Sequence, residues 1–385
     1  MFLSQLSLQN FRSYTKANFN FSPDTTLIVG PNTVGKTNIL EAIFVLGTGK
    51  SFRAERDLEM IKFQNELTRI KSEVQNEVSS ETVKLEIMLT TGMVDGQAAP
   101  GKKYLVNGVS KRQKDFIGMI TSVLFAPTDL ELITDSPSLR RKYLDFVLMQ
   151  VDREYRRALS VYEKGLRQRN KLLERIRDEG LGRGQLAFWD ELLIKNGSMI
   201  TLKREEFINF INYLPSEIGD FQIIYDKSEI SEARLTKYAR EEVASATTLV
   251  GPHRDDWKII IRHSGDPPAG GDSRIDSGPA STAKRGEQAR MTNINNEYTD
   301  ISLFGSRGEQ RMAIVWLKLA ELEFVTQKIA QRPVLLLDDI FSELDEKHRH
   351  LIMEVIPKQQ TIITTTDGGY VEKEFLEKAK VIELK

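Results

Sequence analysis

Gly30-Pro-Asn-Thr-Val-Gly-Lys-Thr37 carries the spacing G-x-x-x-x-G-K-[ST]. In a loop of this kind the backbone N–H groups point inward at a polyphosphate, Lys36 reaches its outer oxygens, and the Thr37 hydroxyl is placed to ligate Mg²⁺. Gly30, Pro31, Asn32, Thr33, Val34 and Gly35 form the cradle, and Asn38 opens the helix behind it. Thr33 stands where many such loops have a third glycine, and a β-branched residue resists positive φ. The expectation is a penalty on affinity rather than loss of function.

Far downstream, Val334-Leu-Leu-Leu-Asp-Asp339 places two carboxylates at the end of an apolar run. Beside a phosphate loop in a parallel sheet, Asp338 can hold Mg²⁺ through water. Asp339 is placed to orient or deprotonate an attacking water, which makes Asp339 and Lys36 the catalytic candidates. Ser342-Glu-Leu-Asp345 then begins a helix near an expected subunit boundary. Ahead of these carboxylates, Ser306 and Glu309 of Ser306-Arg-Gly-Glu-Gln-Arg311 have the spacing of a capping box. The helix it opens carries Ala313, Leu317, Ala320 and Phe324 on one apolar face. A helix start with Ser306, Arg307 and Gly308 is also an anion site. The chain has one phosphate loop and one such start. If both serve the same nucleotide, the simplest arrangement pairs two chains head to tail.

These residues need a framework. Leu27-Ile28-Val29, the loop and the stretch from Asn38 to Leu46 read as strand, loop, helix. Val83, Leu85, Ile87 and Leu89 alternate with polar residues, and after a break at 92–101 they should pair with KKYLVNG as an antiparallel hairpin. From Pro127 to Gly219 the pattern turns to long, charged, helix-period segments, a helical subdomain. FQIIYD and WKIIIR return to strand character, and the Gly-, Pro- and Ser-rich residues 264–300 read as a flexible insertion. Within it, KRGEQAR at 284–290 echoes the 306–311 motif but lacks a helix-period sequel, so it reads as a decoy. Val334–Leu337, Thr361–Thr365 and Val381–Leu384 are apolar runs of the kind covered by helices on both faces.

Composition narrows the class. The 385 residues hold 54 lysines and arginines against 55 aspartates and glutamates, a net charge of −1, and no cysteine. A generally polycationic nucleic-acid binder is excluded, as are disulfide scaffolds and cysteine-based metal sites. No run approaches a membrane span and the start lacks a signal-peptide pattern, so a cytoplasmic chain with no membrane partner is expected.

The three motifs come in the order and spacing of ABC-type ATPases, and the chain resembles the RecF family. The resemblance extends to Leu6-x-Leu-x-Asn-Phe-Arg-x-Tyr14, Gly47–Arg53, V-L-F-A-P-T-D-L at 123–130, S-P-S-L-R-R-K-Y-L-D at 136–145, L-R-Q-R-N-K-L-L at 166–173 and G-P-H-R-D-D at 251–256. It implies an α/β fold: an ABC-type P-loop ATPase head, with a mixed sheet, flanking helices and an antiparallel β part, carrying an inserted helical lobe. The expected division is 1–125 for the first part of the head, 126–235 for the lobe and 236–385 for the rest. The resemblance also implies ATP and Mg²⁺ as cofactors, Arg12 and Gln310 among the nucleotide-site residues, and an ATP-dependent homodimer on DNA. Slow hydrolysis follows, with Asp339 one methylene shorter than the usual glutamate. RecO, RecR and RecA are the implied partners in recombinational repair and the SOS response. No switch histidine is present, and Thr364 to Asp367 occupy that strand end.

Residues 153–183 carry ten Lys/Arg against five Asp/Glu. A basic helix is commonly only a solvated face; with the resemblance, Arg140, Arg141, Arg167 and Arg169 become candidate DNA-phosphate contacts. His253 reads as a structural or interlobe residue, and His348-x-His350 as solvent-facing. The rival classes fare worse. A transporter ATPase subunit is disfavoured by the N-F-R opening and the missing switch histidine. An SMC-like chromosome-organising ATPase needs hundreds of heptad residues, and a nuclease needs a separate acidic metal cluster.

Overall fold

The computed structural model describes residues 2–75, 81–262, 298–342, 346–366 and 379–385. The 284–290 motif, residues 343–345, Asp367 and the side chains of 342–348 lie outside the described residues, as does all of the expected insertion but its last three residues.

An interrupted alternation, with a register shift between Leu3 and Gln5, builds the first layer. Leu3, Leu6, Leu8 and Phe11 are buried along β1 (Phe2–Phe11), which pairs antiparallel with β2 (Tyr14–Asn20) and with β4 (Leu67–Gln75). The sheet continues through β5 (Thr82–Thr90), β8 (Lys102–Val106) and β9 (Val109–Lys111) in the order β2-β1-β4-β5-β8-β9. The expected hairpin is present, with Leu85 opposite Val106 and Leu89 opposite Lys102. A small ribbon, β6 (Met93–Val94) with β7 (Gln97–Ala98), fills the break between its strands.

The middle layer is a parallel sheet, β10-β14-β15-β3-β16, made of β10 (Ser122–Phe125), β14 (Val334–Asp338), β15 (Thr361–Thr365), β3 (Thr25–Val29) and β16 (Lys380–Glu383). Its strands serve two cores at once, because alternate residues point to opposite faces. Val334, Leu336 and Ile362 join the antiparallel sheet and α1 (Lys36–Thr48). Leu335, Leu337 and Ile363 join the helical side. That double burial explains why the runs lack a polar alternation.

On the helical side, α2 (Gln113–Phe116) and α3 (Glu131–Thr134) lead into three long helices, α4 (Pro137–Val151), α5 (Arg153–Glu179) and α6 (Ala187–Tyr213). The Asp152 carboxylate caps α5 by accepting from the backbone N–H of Glu154 and Tyr155, and Gly180 at φ 69° ends it. At Gly165 a Cβ would meet Leu192 Cδ2 at 2.5 Å, so the Leu192 side chain of α6 packs directly on the α5 backbone there and would have to shift for a larger residue. A three-stranded sheet of β11 (Phe221–Asp226), β12 (Asp256–Arg262) and β13 (Tyr298–Asp300) lies beyond them. The boundary expected at 235 falls inside α7 (Glu232–Lys237), and α8 (Ala239–Ser245) packs back on α5. The reason is that β11 pairs with β12, which ties the lobe to the sequence after it. The expected insertion is also too long at its end, since β13 closes this sheet. α9 (Ile301–Phe304) then leads to α10 (Arg307–Ile329), and α11 (Glu346–Val355) follows β14.

Candidate functional site

The phosphate loop joins the C-terminal end of β3 to α1. Gly35, at φ 107°, is the helix N-cap, and Thr33 sits at φ 72° with its hydroxyl donating to the Asn32 carbonyl at 2.5 Å. Lys36 Nζ donates to the carbonyls of Gly30 at 2.6 Å and Pro31 at 2.9 Å. Burial pushes the Lys36 amine below its ordinary pKa, while the nearby Asp339 and Asp338 pull it back up. A cation held by two carbonyl oxygens can exchange them for phosphate oxygens, which bind it more strongly.

The β1–β2 turn braces this loop. Tyr14 Oη donates to the Gly35 carbonyl at 3.2 Å and Asn38 Nδ2 donates to Ser13 Oγ at 3.0 Å. A Cβ at Gly35 would lie 2.9 Å from Tyr14 Oη, so only glycine fits between turn and loop. Behind them Glu41 is fully buried and accepts from Arg12 at 2.9 and 2.5 Å and from Ser51 Oγ at 2.5 Å. Arg12 also donates to the Glu59 carbonyl at 2.7 Å. Arg12, expected in the nucleotide site, is held here by the buried Glu41 and fixes the turn beside the phosphate loop. Glu41 and Ser13 escaped the sequence reading, and Tyr14 entered it only as the end of the opening motif. The one signal was a carboxylate within the apolar Ile39-Leu40-Glu41-Ala42-Ile43.

Parallel pairing of β14 with β15 and of β15 with β3 brings the ends of three distant segments together. Thr37 Oγ1 donates to Asp338 Oδ1 at 3.0 Å and Thr364 Oγ1 donates to the same oxygen at 2.7 Å. A hydroxyl and a carboxylate oxygen are the hard donors that Mg²⁺ takes, and Thr37 with Asp338 would hold it. Asp339 takes φ 49°, a conformation aspartate tolerates better than most residues, with its N–H on the Thr364 carbonyl at 3.1 Å. Ser306 caps α10 as expected: its Oγ accepts from Glu309 N at 3.3 Å and donates to Glu309 Oε2 at 2.8 Å. It begins a helix whose entry, α9, packs on β12 and α3, elements separate from those that carry the phosphate loop. Gln310, expected in the nucleotide site, is 6% exposed, and its amide donates to the carbonyls of Ile301 and Gly305 at 3.3 and 3.4 Å.

The family described as RecF/RecN/SMC N terminal domain matches residues 2–383. The DNA replication and repair protein RecF of Herpetosiphon aurantiacus is 36% identical over 404 residues, covering 98% of this chain and 96% of that protein. The protein of the same name from Bacillus cytotoxicus is 32% identical over 411 residues, covering 100% and 97%. The chain belongs to the RecF family. Two solved structures agree with that membership, both of the recombination mediator protein RecF in the RecFOR pathway, at 32% identity. The one with ATP has a TM-score of 0.78 and covers 96% of this chain and 93% of its own. The one with ATPrS has 0.77, covering 96% and 94%. The fold is accordingly the ATPase head of this family with an inserted helical lobe. Among the described residues no helix is long and apolar enough to cross a membrane.

The basic residues singled out in this RecF-family chain are mostly structural. Arg169 is fully buried, donating to Asp190 and Glu242 at 2.7 Å each and to Thr248 Oγ1 at 2.9 Å. Arg140 makes a two-pronged pair with Asp256 at 2.6 and 3.0 Å, and Arg141 donates to the Asp255 carbonyl at 2.8 Å. Three of the four candidate DNA contacts thus have partners within the fold, supplied by Asp190 and by the G-P-H-R-D-D and 242–248 segments, and of the four Arg167 alone is exposed. His253 bridges Tyr162 Oη at 2.8 Å and the Thr248 carbonyl at 3.0 Å, and burial lowers its pKa to about 4. It is a neutral tie between α5 and this loop, as expected of a structural histidine.

Proposed function

We propose that this RecF-family chain is an ATP-switched, DNA-binding repair and replication protein. ATP with Mg²⁺ sits on the phosphate loop, Lys36 neutralises the outer phosphates, and Thr37 and Asp338 hold the metal. Bound Mg²⁺ supplies charge neutralisation at the phosphates. A second copy presents Ser306, Arg307 and Gly308 to the same nucleotide, so that binding closes a homodimer on DNA and hydrolysis opens it. Asp339 orients the attacking water, and because its side chain is short, turnover is slow: the ATPase is a weak one that acts as a switch. Stabilisation of the phosphates is electrostatic throughout. In the cell the dimer works with RecR and RecO to load RecA on gapped DNA in recombinational repair and the SOS response, in the cytoplasm.

The observation that carries this reading is the meeting of Lys36, Thr37, Asp338 and Thr364 across more than 300 residues of chain, in a member of this family. Leu303 and Phe304, 73% and 75% exposed, lie three and two residues before Ser306 and add an apolar edge suited to a partner head. Light scattering with a non-hydrolysable ATP analogue, with and without DNA, tests it. The wild type should become a dimer, and Ser306→Arg and Lys36→Met should stay monomeric. A wild type that is monomeric under every condition refutes the shared site.

A further inference from the structure

The DNA contacts expected from the sequence are largely spent in ion pairs, yet another surface is built for a polyanion. A groove of about 980 Å³ runs between the antiparallel sheet and the first half of α5. Among the described residues, ten of its twenty-five lining residues are Lys or Arg and one, Glu163, is acidic, in a chain whose net charge is −1. Four of the ten are engaged: Lys50 with Glu163 at 3.5 Å, Arg69 with Glu86 at 3.7 Å, Lys102 with Asp57 at 2.9 Å, and Arg156 on the Met149 carbonyl at 2.5 Å. The other six, Lys103, Lys111, Arg112, Lys114, Arg157 and Lys164, make no ion pair among the described residues. Six like charges facing one groove repel one another, and a linear polyanion relieves that repulsion.

The chemistry of the wall selects among polyanions. Four of the six unpaired cations are lysines, point charges that suit a repeating phosphate; carboxylate recognition favours the planar two-pronged grip of arginine. Arg157 and Lys164 stand seven residues apart on α5, about 10 Å at 1.5 Å per residue, which spans about three phosphates of one strand at 3.4 Å rise. Among the described residues the one aromatic in the lining, Tyr104, is 7% exposed, so they offer bases no stacking platform. The groove also touches the nucleotide site through α1. That helix starts at Lys36 in the phosphate loop, and just past its end the Gly49 carbonyl accepts from the groove residue Lys102 at 2.5 Å.

We propose that this groove holds the phosphodiester backbone of a DNA strand without reading its bases. It rests on the reading of the chain as a DNA-binding head. Fluorescence anisotropy of the full chain tests it, using labelled random-sequence oligonucleotides, one single-stranded and one duplex. Lys103→Gln with Lys164→Gln is compared with Arg175→Gln with Arg177→Gln, a control pair farther along α5. At 0.1 M salt the groove variant should lose about eightfold in duplex affinity, or about fivefold for a single strand, per contact removed. Its log–log salt slope should be shallower by about 0.9 or 0.7 per contact respectively. The control should match the wild type, and whichever oligonucleotide shows the loss identifies the strand form. Groove variants that bind DNA like a DNA-binding wild type overturn the groove alone. A wild type that binds neither oligonucleotide overturns the DNA-binding reading and the groove with it. Loss of polyglutamate binding with DNA affinity intact assigns the groove to an acidic polypeptide and also overturns the proposal.

Discussion

The phosphate loop and the junction between the lobe and the three-stranded sheet hide their charges about equally, yet use them to opposite ends. Lys36 and Asp338 are each 7% exposed, and their partners are carbonyls and hydroxyls that a ligand can replace. At the junction Arg204, 2% exposed, donates to Asp145 and Asp255 at 2.9 Å each, to the Pro252 carbonyl at 2.7 Å and to Tyr155 Oη at 3.1 Å. Asp255 also accepts from Tyr225 Oη and from the Ser228 N–H at 2.7 Å. Burial therefore does not distinguish a working charge from a structural one. What distinguishes them is whether the partners are full opposite charges that saturate the group.

The comparison breaks most readily at Arg204. Arg204→Met leaves the buried Asp255 and the partly buried Asp145 without their cation, and unfolding stability should fall by about 3–5 kcal/mol, read by urea denaturation. Nucleotide affinity of the folded fraction should not change. If the variant matches the wild type in stability, the junction is not a saturated network. Lys36→Met is the opposite case. It should weaken nucleotide binding by about 1.5–3 kcal/mol, the worth of hydrogen bonds to a charged group, in titration calorimetry. The melting temperature without nucleotide should hold or rise, because a buried amine has been removed. A stability loss as large as that of Arg204→Met would erase the distinction.

The two regions were also unequally legible. The phosphate loop, the Asp338–Asp339 strand end and the capping box at Ser306 follow from local spacing, because each motif acts through its own backbone. The parallel strands were legible as continuous apolar runs, since both faces are covered. The fates of Arg140, Arg141 and Arg169 were not, because their partners Asp256, Asp255 and Glu242 lie some 70 to 120 residues away and meet them only when β12 and α8 pack. A basic residue on a helix-period segment looks the same in sequence whether it faces solvent or a buried carboxylate. The pairing of Arg12 with Glu41 was hidden likewise, since Glu41 read as part of an apolar helix. β13 was lost because three strand residues at the end of a Gly- and Ser-rich stretch carry no periodic signal.

His253 separates the regions by pH. Its pKa is about 4 in the folded chain against an ordinary 6.5, so between these values the unfolded chain binds more protons and stability falls as pH drops. The loss should reach on the order of 2 kcal/mol by pH 4, allowing for partial solvent access. His253→Gln should flatten that part of the stability curve, measured by urea unfolding from pH 7 to 4. An unchanged slope would mean that the histidine is not a buried neutral tie.

The smallest effect tests whether the loop is formed before any nucleotide arrives. Thr33 already sits at φ 72°, fixed by its own hydroxyl bond and by a loop that Tyr14 and Lys36 hold from both sides. A β-branched residue there is strained by about 1–2 kcal/mol, and glycine removes the strain at an entropic cost of about 0.5–1 kcal/mol in the unfolded chain. Thr33→Gly should then stabilise the protein by up to about 1 kcal/mol in urea unfolding. It should leave nucleotide affinity within about twofold, since strain present in both bound and free loops cancels from binding. That outcome moves the Thr33 penalty from affinity, where the sequence put it, to folding. Tighter binding with no gain in stability would mean that the loop reaches this conformation only on the phosphate, and that the site is less preorganised than the contacts around Gly35 imply.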